Sequence, residues 1–134
     1  MDYLFENFEN IKENDPEFHE IFKNFAYGEV FEYATLSKND SILATLSCLI
    51  ACQSANAFKN ILIKSLNVDI SPEEVKELLY QSVPYVGFAR ANDCFDATTE
   101  VFEKKGIETP LKVRSNANSE NRCEKGRQIQ SKYF

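Results

Sequence analysis

The sequence predicts an all-α fold, and three observations predict it. Apolar residues recur at i, i+3, i+4 and i+7 in segment after segment. Helix start and stop signals punctuate those segments at the right spacing. No stretch alternates apolar and polar residues as a half-buried strand would, and no internal repeat is visible. With 134 residues the chain has the size of one domain. A chain of this mass buries roughly two thirds of its unfolded surface, enough for a core without staples. A hydrophobic content of 43% excludes general disorder. Four Gly and four Pro exclude collagen-like, linker-type and glycine-rich phosphate-loop chains. Trp is absent, so the 11 Phe are expected to do most of the large-volume packing.

The elements follow in chain order. Leu4, Phe8 and Ile11 share one face of a first segment. Asn14-Asp15-Pro16-Glu17 is a start signal: a capping residue, Pro at the first helical position, then an acid near the positive end of the dipole. Phe18, Ile21, Phe22 and Phe25 continue at helical spacing, and Tyr27-Gly28 is expected to end that helix. Glu29–Ala34 reads as a short helix or turn. Ser37-Lys38-Asn39-Asp40 resembles a capping box with Asp in place of Glu. It opens Ser41–Ser54, apolar nearly all round and therefore expected as a buried central helix. Ala44, Cys48, Ala51 and Ala55 make a stripe of small residues on it. Ala57–Leu66 follows, with Phe58, Ile61, Leu62 and Leu66 inward.

Ser71-Pro72-Glu73-Glu74 is the best local signal: N-cap Ser, Pro at N1, and Glu at N3 reaching back. Val75, Leu78, Leu79 and Ser82 continue the face. Pro84 is expected to break or kink this helix, and a last core helix should run from about Tyr85 to Lys105. Lys104-Lys105-Gly106 is a stop signal. Residues 107–117 read as an extended connector and 119–132 as a polar helix, too weak alone and in need of a surface. The division expected is a helical domain over 1–111 and a basic tail over 112–134.

The net charge of −6 argues against a nucleic-acid partner. Its distribution is uneven. Residues 1–32 hold nine acids and two Lys, whereas 112–134 hold six basic side chains and two acids. The two ends are either solvated surfaces or packed on each other, within one subunit or between two. The N-terminus is acidic and has no apolar signal region. The longest apolar run, around 42–51, is too short to span a bilayer. Four Cys without a secretory signal point to a reducing cytoplasm and free thiols. No membrane association, metal or cofactor is expected.

Ile70-Ser71-Pro72-Glu73-Glu74-Val75-Lys76-Glu77-Leu78-Leu79-Tyr80-Gln81-Ser82-Val83-Pro84-Tyr85-Val86-Gly87-Phe88 resembles a segment of the carboxymuconolactone decarboxylase family. Asp69 replaces that segment's usual Gly, and Phe88-Ala89 stand where a Pro often sits. Leu46–Gln53 looks like the buried helix of the same family, and Asn121–Gln130 is similar to the tail of one subgroup. The resemblance covers residues 20–134. It implies the orthogonal helical bundle shared with the alkylhydroperoxidase D proteins, and a homotrimer or homohexamer with sites near subunit contacts. Two chemistries occur there. Decarboxylases act on a lactone acid without a cofactor, through a His. Alkylhydroperoxidase D proteins use Cys-x-x-Cys with a downstream His and a Glu.

Neither pattern transfers intact. The resemblance sets the family His near Ile61 and the Cys-x-x-Cys slots near Ser54 and Ala57. His19, the lone His, lies in the N-terminal helix. Cys48 and Cys52 form Cys-x-x-x-Cys on one helix face, a poor geometry for a disulfide. They are either small buried hydrophobes or a thiol site, with Cys52 reacting with peroxide beside Gln53. Cys94 and Cys123 read as packing and as an exposed thiol without a role. Glu32 is either a surface acid or the acid–base partner of the cysteine face. Tyr85 and Gly87, beside Pro84, are candidates for binding a carboxylate with free backbone N–H groups at a helix start, with Arg90 assisting. Three functions stay open: a thiol-dependent peroxidase-like oxidoreductase, a cofactor-free lyase on a small acidic metabolite, or a non-catalytic binding protein.

Overall fold

The computed structural model describes residues 9–133. The expected face of Leu4 and Phe8 lies outside the described residues. The elements are α1 (Glu9–Asn14), α2 (Pro16–Phe22), a π-helical stretch (Lys23–Glu29), α3 (Val30–Tyr33), α4 (Lys38–Ala51), α5 (Ala55–Ser65), α6 (Pro72–Val86), α7 (Phe88–Lys104) and α8 (Arg122–Tyr133). Among the described residues the only strand-like pairing is an isolated bridge between Leu66 and Ile70. The fold is all-α.

The core is made by α4 to α7. Ile42, Leu46 and Ile50 point inward from α4, Phe58, Ile61 and Leu62 from α5, and Val75 and Leu79 from α6. On α7 the inward face is Ala91, Cys94, Ala97, Val101 and Phe102. Its first half is built of small side chains, which lets α5 and α6 approach closely. Each large aliphatic or aromatic side chain buried here contributes roughly 1.5–3 kcal/mol. Buried polar groups are satisfied locally: Ser65 Oγ donates to the Ile61 carbonyl (2.9 Å) and Thr98 Oγ1 to the Cys94 carbonyl (2.7 Å).

Caps set the helix starts as the sequence predicts. Asp15 Oδ1 accepts from the Phe18 N–H (3.0 Å), with Pro16 at the first helical position. Ser37 Oγ accepts from the Asp40 N–H and donates to Asp40 Oδ2 (3.1 and 2.7 Å). At α6 the Glu74 carboxylate accepts from the Ser71 N–H (2.7 Å) and the Ser71 hydroxyl (2.8 Å), while Ser71 Oγ accepts from the Glu74 N–H (3.3 Å). α7 ends on Gly106 at φ +67. The Ile107 N–H reaches the Phe102 carbonyl and the Gly106 N–H reaches that of Glu103, the paired bonds of a Schellman cap.

Three expectations are corrected. Tyr27-Gly28 ends no helix. The chain passes through a π-helical stretch, whose last carbonyl pairing runs from the Val30 N–H to Phe25 five residues back. Pro84 does not break α6, and Tyr85 does not open α7. Pro84 lies inside α6, and the break falls at Gly87, at φ +84. A left-handed φ suits Gly and resists other residues, so the corner sits where the chain can turn rather than where it loses one N–H. Finally, α4 is not buried all round: Ala44, Cys48 and Ala51 of its small stripe are exposed.

Ser71→Ala is expected to destabilise the protein by about 1 kcal/mol, because the cap of α6 is lost; chemical denaturation measures it. A second expectation concerns pH. The Ser71 N–H, then the Ser71 hydroxyl and then Asn39 hold the Glu74 carboxyl below its ordinary range near 4.5. A lowered folded-state pKa stabilises the fold above the ordinary range and loses that effect as pH falls through the lowered value. Wild type should therefore lose stability below about pH 4.5 more steeply than Glu74→Gln, the two curves converging in acid. Parallel curves would show that Glu74 contributes nothing through its charge.

Candidate functional site

The residues singled out from the sequence fall in three places. The first is the corner between α4 and α5. Cys48 lies one turn before the end of α4, and Cys52 is its C-cap, with its N–H on the Cys48 carbonyl (2.9 Å). Both thiols are free and exposed. Cβ atoms at this spacing on a helix are roughly 5–6 Å apart, beyond the roughly 3.5–4.5 Å of a disulfide. Gln53 follows at φ +56, a left-handed conformation uncommon for a residue with a side chain. Ser54 then opens α5 as its N-cap, without a side-chain capping bond. Cys52 thus faces the negative end of the α4 dipole, which disfavours an anion there.

The positions at which the resemblance sets the other groups are also visible. Ser54 and Ala57 occupy the first turn of α5 and are half-buried. Ile61 is 5% exposed and belongs to the core. No proton-relaying side chain occupies that position.

The second place is the surface formed by the π-helical stretch, α3 and the first turn of α4. Glu32 lines a cleft of about 420 Å³ with Tyr27, Phe31, Leu36, Lys38 and Ser41. It also lines a neighbouring cleft of about 380 Å³ with Lys23, Asn24 and Glu29. Burial pushes the Tyr27 hydroxyl above its usual range. Lys38 Nζ is 2.9 Å from Asp69 Oδ1. Tyr27 and Lys38 were missed from sequence: the π-helical turn that presents Tyr27 leaves no periodic signal. Roughly 10–16 Å of helix rise separates Ser41 from the two thiols. Within one chain, Glu32 therefore sits at the opposite end of α4 from the cysteine face.

The third place is the corner between α6 and α7. Tyr85 is 80% exposed, in the last turn of α6, and Gln81 Nε2 donates to its hydroxyl at 3.5 Å. Gly87 is the corner itself, and its carbonyl accepts from the N–H groups of Arg90 and Ala91 (3.2 Å each). Arg90 is exposed on the first turn of α7. Tyr85 precedes the free N–H groups of α7 rather than standing among them.

The remaining candidates are accounted for separately. The His19 side chain is mostly buried in α2, its Nδ1 3.6 Å from Glu20 Oε1. Cys94 lies in the core; burial, then the nearby Asp93, pushes its thiol up and makes it inert. Cys123 is exposed on α8. Among the described residues no cluster of three or more His, Cys, Asp or Glu could hold a metal ion, and no helix is long and apolar enough to cross a membrane.

Comparison with known proteins agrees with this fold. A 4-carboxymuconolactone decarboxylase of Acinetobacter baylyi (strain ATCC 33305 / BD413 / ADP1) is 29% identical over 105 residues, 78% of each chain. The profile of the carboxymuconolactone decarboxylase family matches residues 16–100, from the start of α2 to the fourth turn of α7. That stretch holds the α4–α7 core except Val101 and Phe102 and exceeds half of the chain: the protein belongs to the carboxymuconolactone decarboxylase family.

Proposed function

We propose that this family member is a slow, thiol-dependent peroxidase-like oxidoreductase, with Cys52 as the peroxide-reacting group and Cys48 beside it. One observation carries the reading: two free, exposed thiols one helical turn apart, at a corner bent by a left-handed Gln53. Unusual backbone at an exposed corner is a recurrent mark of functional sites. The Cys52 thiolate attacks the distal oxygen of a hydroperoxide. The O–O bond breaks, an S–O bond forms, and the leaving alkoxide takes a proton. The product is a sulfenic acid at Cys52 and an alcohol. Helical geometry keeps Cys48 from closing a disulfide, so two equivalents of an external thiol reduce Cys52: the first forms a mixed disulfide and releases water, and the second displaces the Cys52 thiolate, leaving the external thiol as its own disulfide. In this reading Gln53, next in the chain, hydrogen-bonds the peroxide.

The chemistry is slow because the corner offers no His and sets Cys52 at the C-terminal end of α4, where the dipole disfavours a thiolate. Glu32 serves it only if a neighbouring subunit brings its α3 to this corner. The competing reading is a cofactor-free lyase on a small carboxylic acid, which the similarity to a 4-carboxymuconolactone decarboxylase favours. In that reading Glu32 is the base, and Tyr85, Gly87 and Arg90 hold the carboxylate. The isoleucine at 61 weighs against it.

Assembly into a homotrimer or homohexamer belongs to the same proposal. Phe18, Ile21, Phe25, Val30 and Tyr33 form an apolar face of the N-terminal helices that is exposed in the single chain, Phe25 by 58%. α8 buries no residue, and the basic stretch 112–134 has an acidic counterpart in the N-terminal helices. A neighbour's surface would cover both.

Stopped-flow oxidation by a small alkyl hydroperoxide should be slow at neutral pH and faster as pH rises, because the thiolate is the nucleophile. Cys52→Ser should abolish it, Cys48→Ser should leave most of it, and a sulfenic-acid trap should label Cys52. Equal, negligible reactivity in all three proteins would overturn the thiol reading, and decarboxylation of an added lactone acid would then support the lyase. Separately, sedimentation should report a trimer or hexamer. Deletion of 112–134 should weaken the assembly, more so at low salt, while leaving 1–111 folded by circular dichroism. A monomer at micromolar concentration would refute the assembly.

A further inference from the structure

A groove of about 330 Å³ lies between α6, α7 and the connector that follows α7, on none of the three candidate places. Its volume is within the range of small-molecule pockets. The floor is core: Leu79 is 3% and Phe102 5% exposed. One wall is aromatic, with the Tyr80 and Phe95 rings stacked at 6.5 Å and 26°. The connector forms the other side through Leu111, which also packs on the core. Arg114 Nη2 holds the connector down on Glu73 Oε1 (3.3 Å), at the start of α6.

The polar groups choose among ligands. Lys76 is the one charged side chain among the described residues that line the groove. Its Nζ is 5.5 Å from the centre of the Tyr80 ring, at the edge of the aromatic wall. Glu73, one turn back on α6, is engaged with Arg114. Among the described residues no carboxylate lines the groove, and Lys76, already over the Tyr80 ring, repels a second cation from the aromatic wall. The hydroxyls of Thr98 and Thr99 already donate to the Cys94 and Phe95 carbonyls (2.7 and 3.1 Å), so Lys76 is the charged donor for an anion, with the Tyr80 and Thr109 hydroxyls as neutral donors in the same lining.

We infer that this groove binds a small aromatic or aliphatic monocarboxylic acid, its apolar body against Tyr80, Phe95 and Leu79 and its carboxylate on Lys76. Flat rings suit the stacked wall, since offset stacking adds to the gain from burial alone. The carboxylate sits at the rim, where only part of its hydration is lost.

Calorimetric titration tests this with three probes of one shape: 2-naphthaleneacetate, 2-(2-naphthyl)ethanol and 2-(2-naphthyl)ethylamine. The acid should bind to the full chain with a dissociation constant below about 1 mM, and more tightly than the amine. Lys76→Met should weaken the acid roughly tenfold and leave the alcohol unchanged, the effect of one charged hydrogen bond. Val113→Glu, at an exposed position of the connector, should weaken the acid and favour the amine. Amide shifts in NMR should cluster at Tyr80, Phe95 and Leu111. The proposal fails if folded wild type does not bind the acid, if Lys76→Met weakens acid and alcohol equally, or if the shifts map elsewhere. It also fails if binding declines as protein concentration rises, which would mean that a second copy fills the groove. None of these outcomes depends on peroxide turnover at Cys52.

Discussion

One carboxylate, that of Glu74, ties the beginnings of two core helices together. It closes the cap of α6 by accepting from the Ser71 N–H and hydroxyl, and it accepts from Asn39 Nδ2 (3.1 Å) on the first turn of α4. Asn39 also donates to the Asp69 carbonyl (2.9 Å), and Lys38 pairs with the Asp69 carboxylate. The loop between α5 and α6 is thus clamped from both sides. Its own backbone is tight: the Val68, Asp69 and Ile70 N–H groups all point at the Ser65 carbonyl, and Asn67 takes φ +64. With α4 and α6 begun at one point, Ile42 and Leu46 join Val75 and Leu79 in one core cluster.

The chain then divides by how it is held. From α4 to α7 order comes from a shared core. Before α4 it comes mostly from neighbours in sequence: α1, α2, the π-helical stretch and α3 pack chiefly on one another. Phe18 stacks on Phe22 at 6.0 Å, Phe22 meets Tyr27 edge-on at 6.3 Å, and Tyr27 stacks on Phe31 at 5.5 Å. That aromatic ladder spends ring surface locally and leaves the faces of Phe18 and Phe25 to solvent. An apolar segment with local order and open faces is suited to taking its final environment from outside the chain.

What could be read in the sequence was what is decided within four residues. Asp15, Ser37 and Ser71 cap because their side chains reach an N–H three positions on, and Lys105-Gly106 closes α7 for an equally local reason. Phe58, Ile61 and Leu62 were legible as core because α5 has one consistent face. The α6–α7 corner was misplaced because Pro84 carries the stronger local signal, while the deciding property is the left-handed φ of Gly87. The exposure of Cys48 and Cys52 was not legible either, since apolar neighbours on every side of α4 do not say which side meets another helix. The candidate site was legible as residue types and not as a constellation. Glu32 and the thiols lie at opposite ends of α4, a separation that spacing in sequence hides.

The burial of Ile61 limits what that position can hold. It lies among close-packed neighbours on α5, next in sequence to Leu62, which is fully buried. An imidazole placed there would lose most of its hydration and would need a hydrogen-bonding partner, whereas the Ser65 hydroxyl one turn on already donates to the Ile61 carbonyl. A single Ile61→His substitution would therefore unsettle the core before it added a proton-transfer group. Packing at this position selects for hydrocarbon and leaves polar chemistry to the exposed corners of the fold.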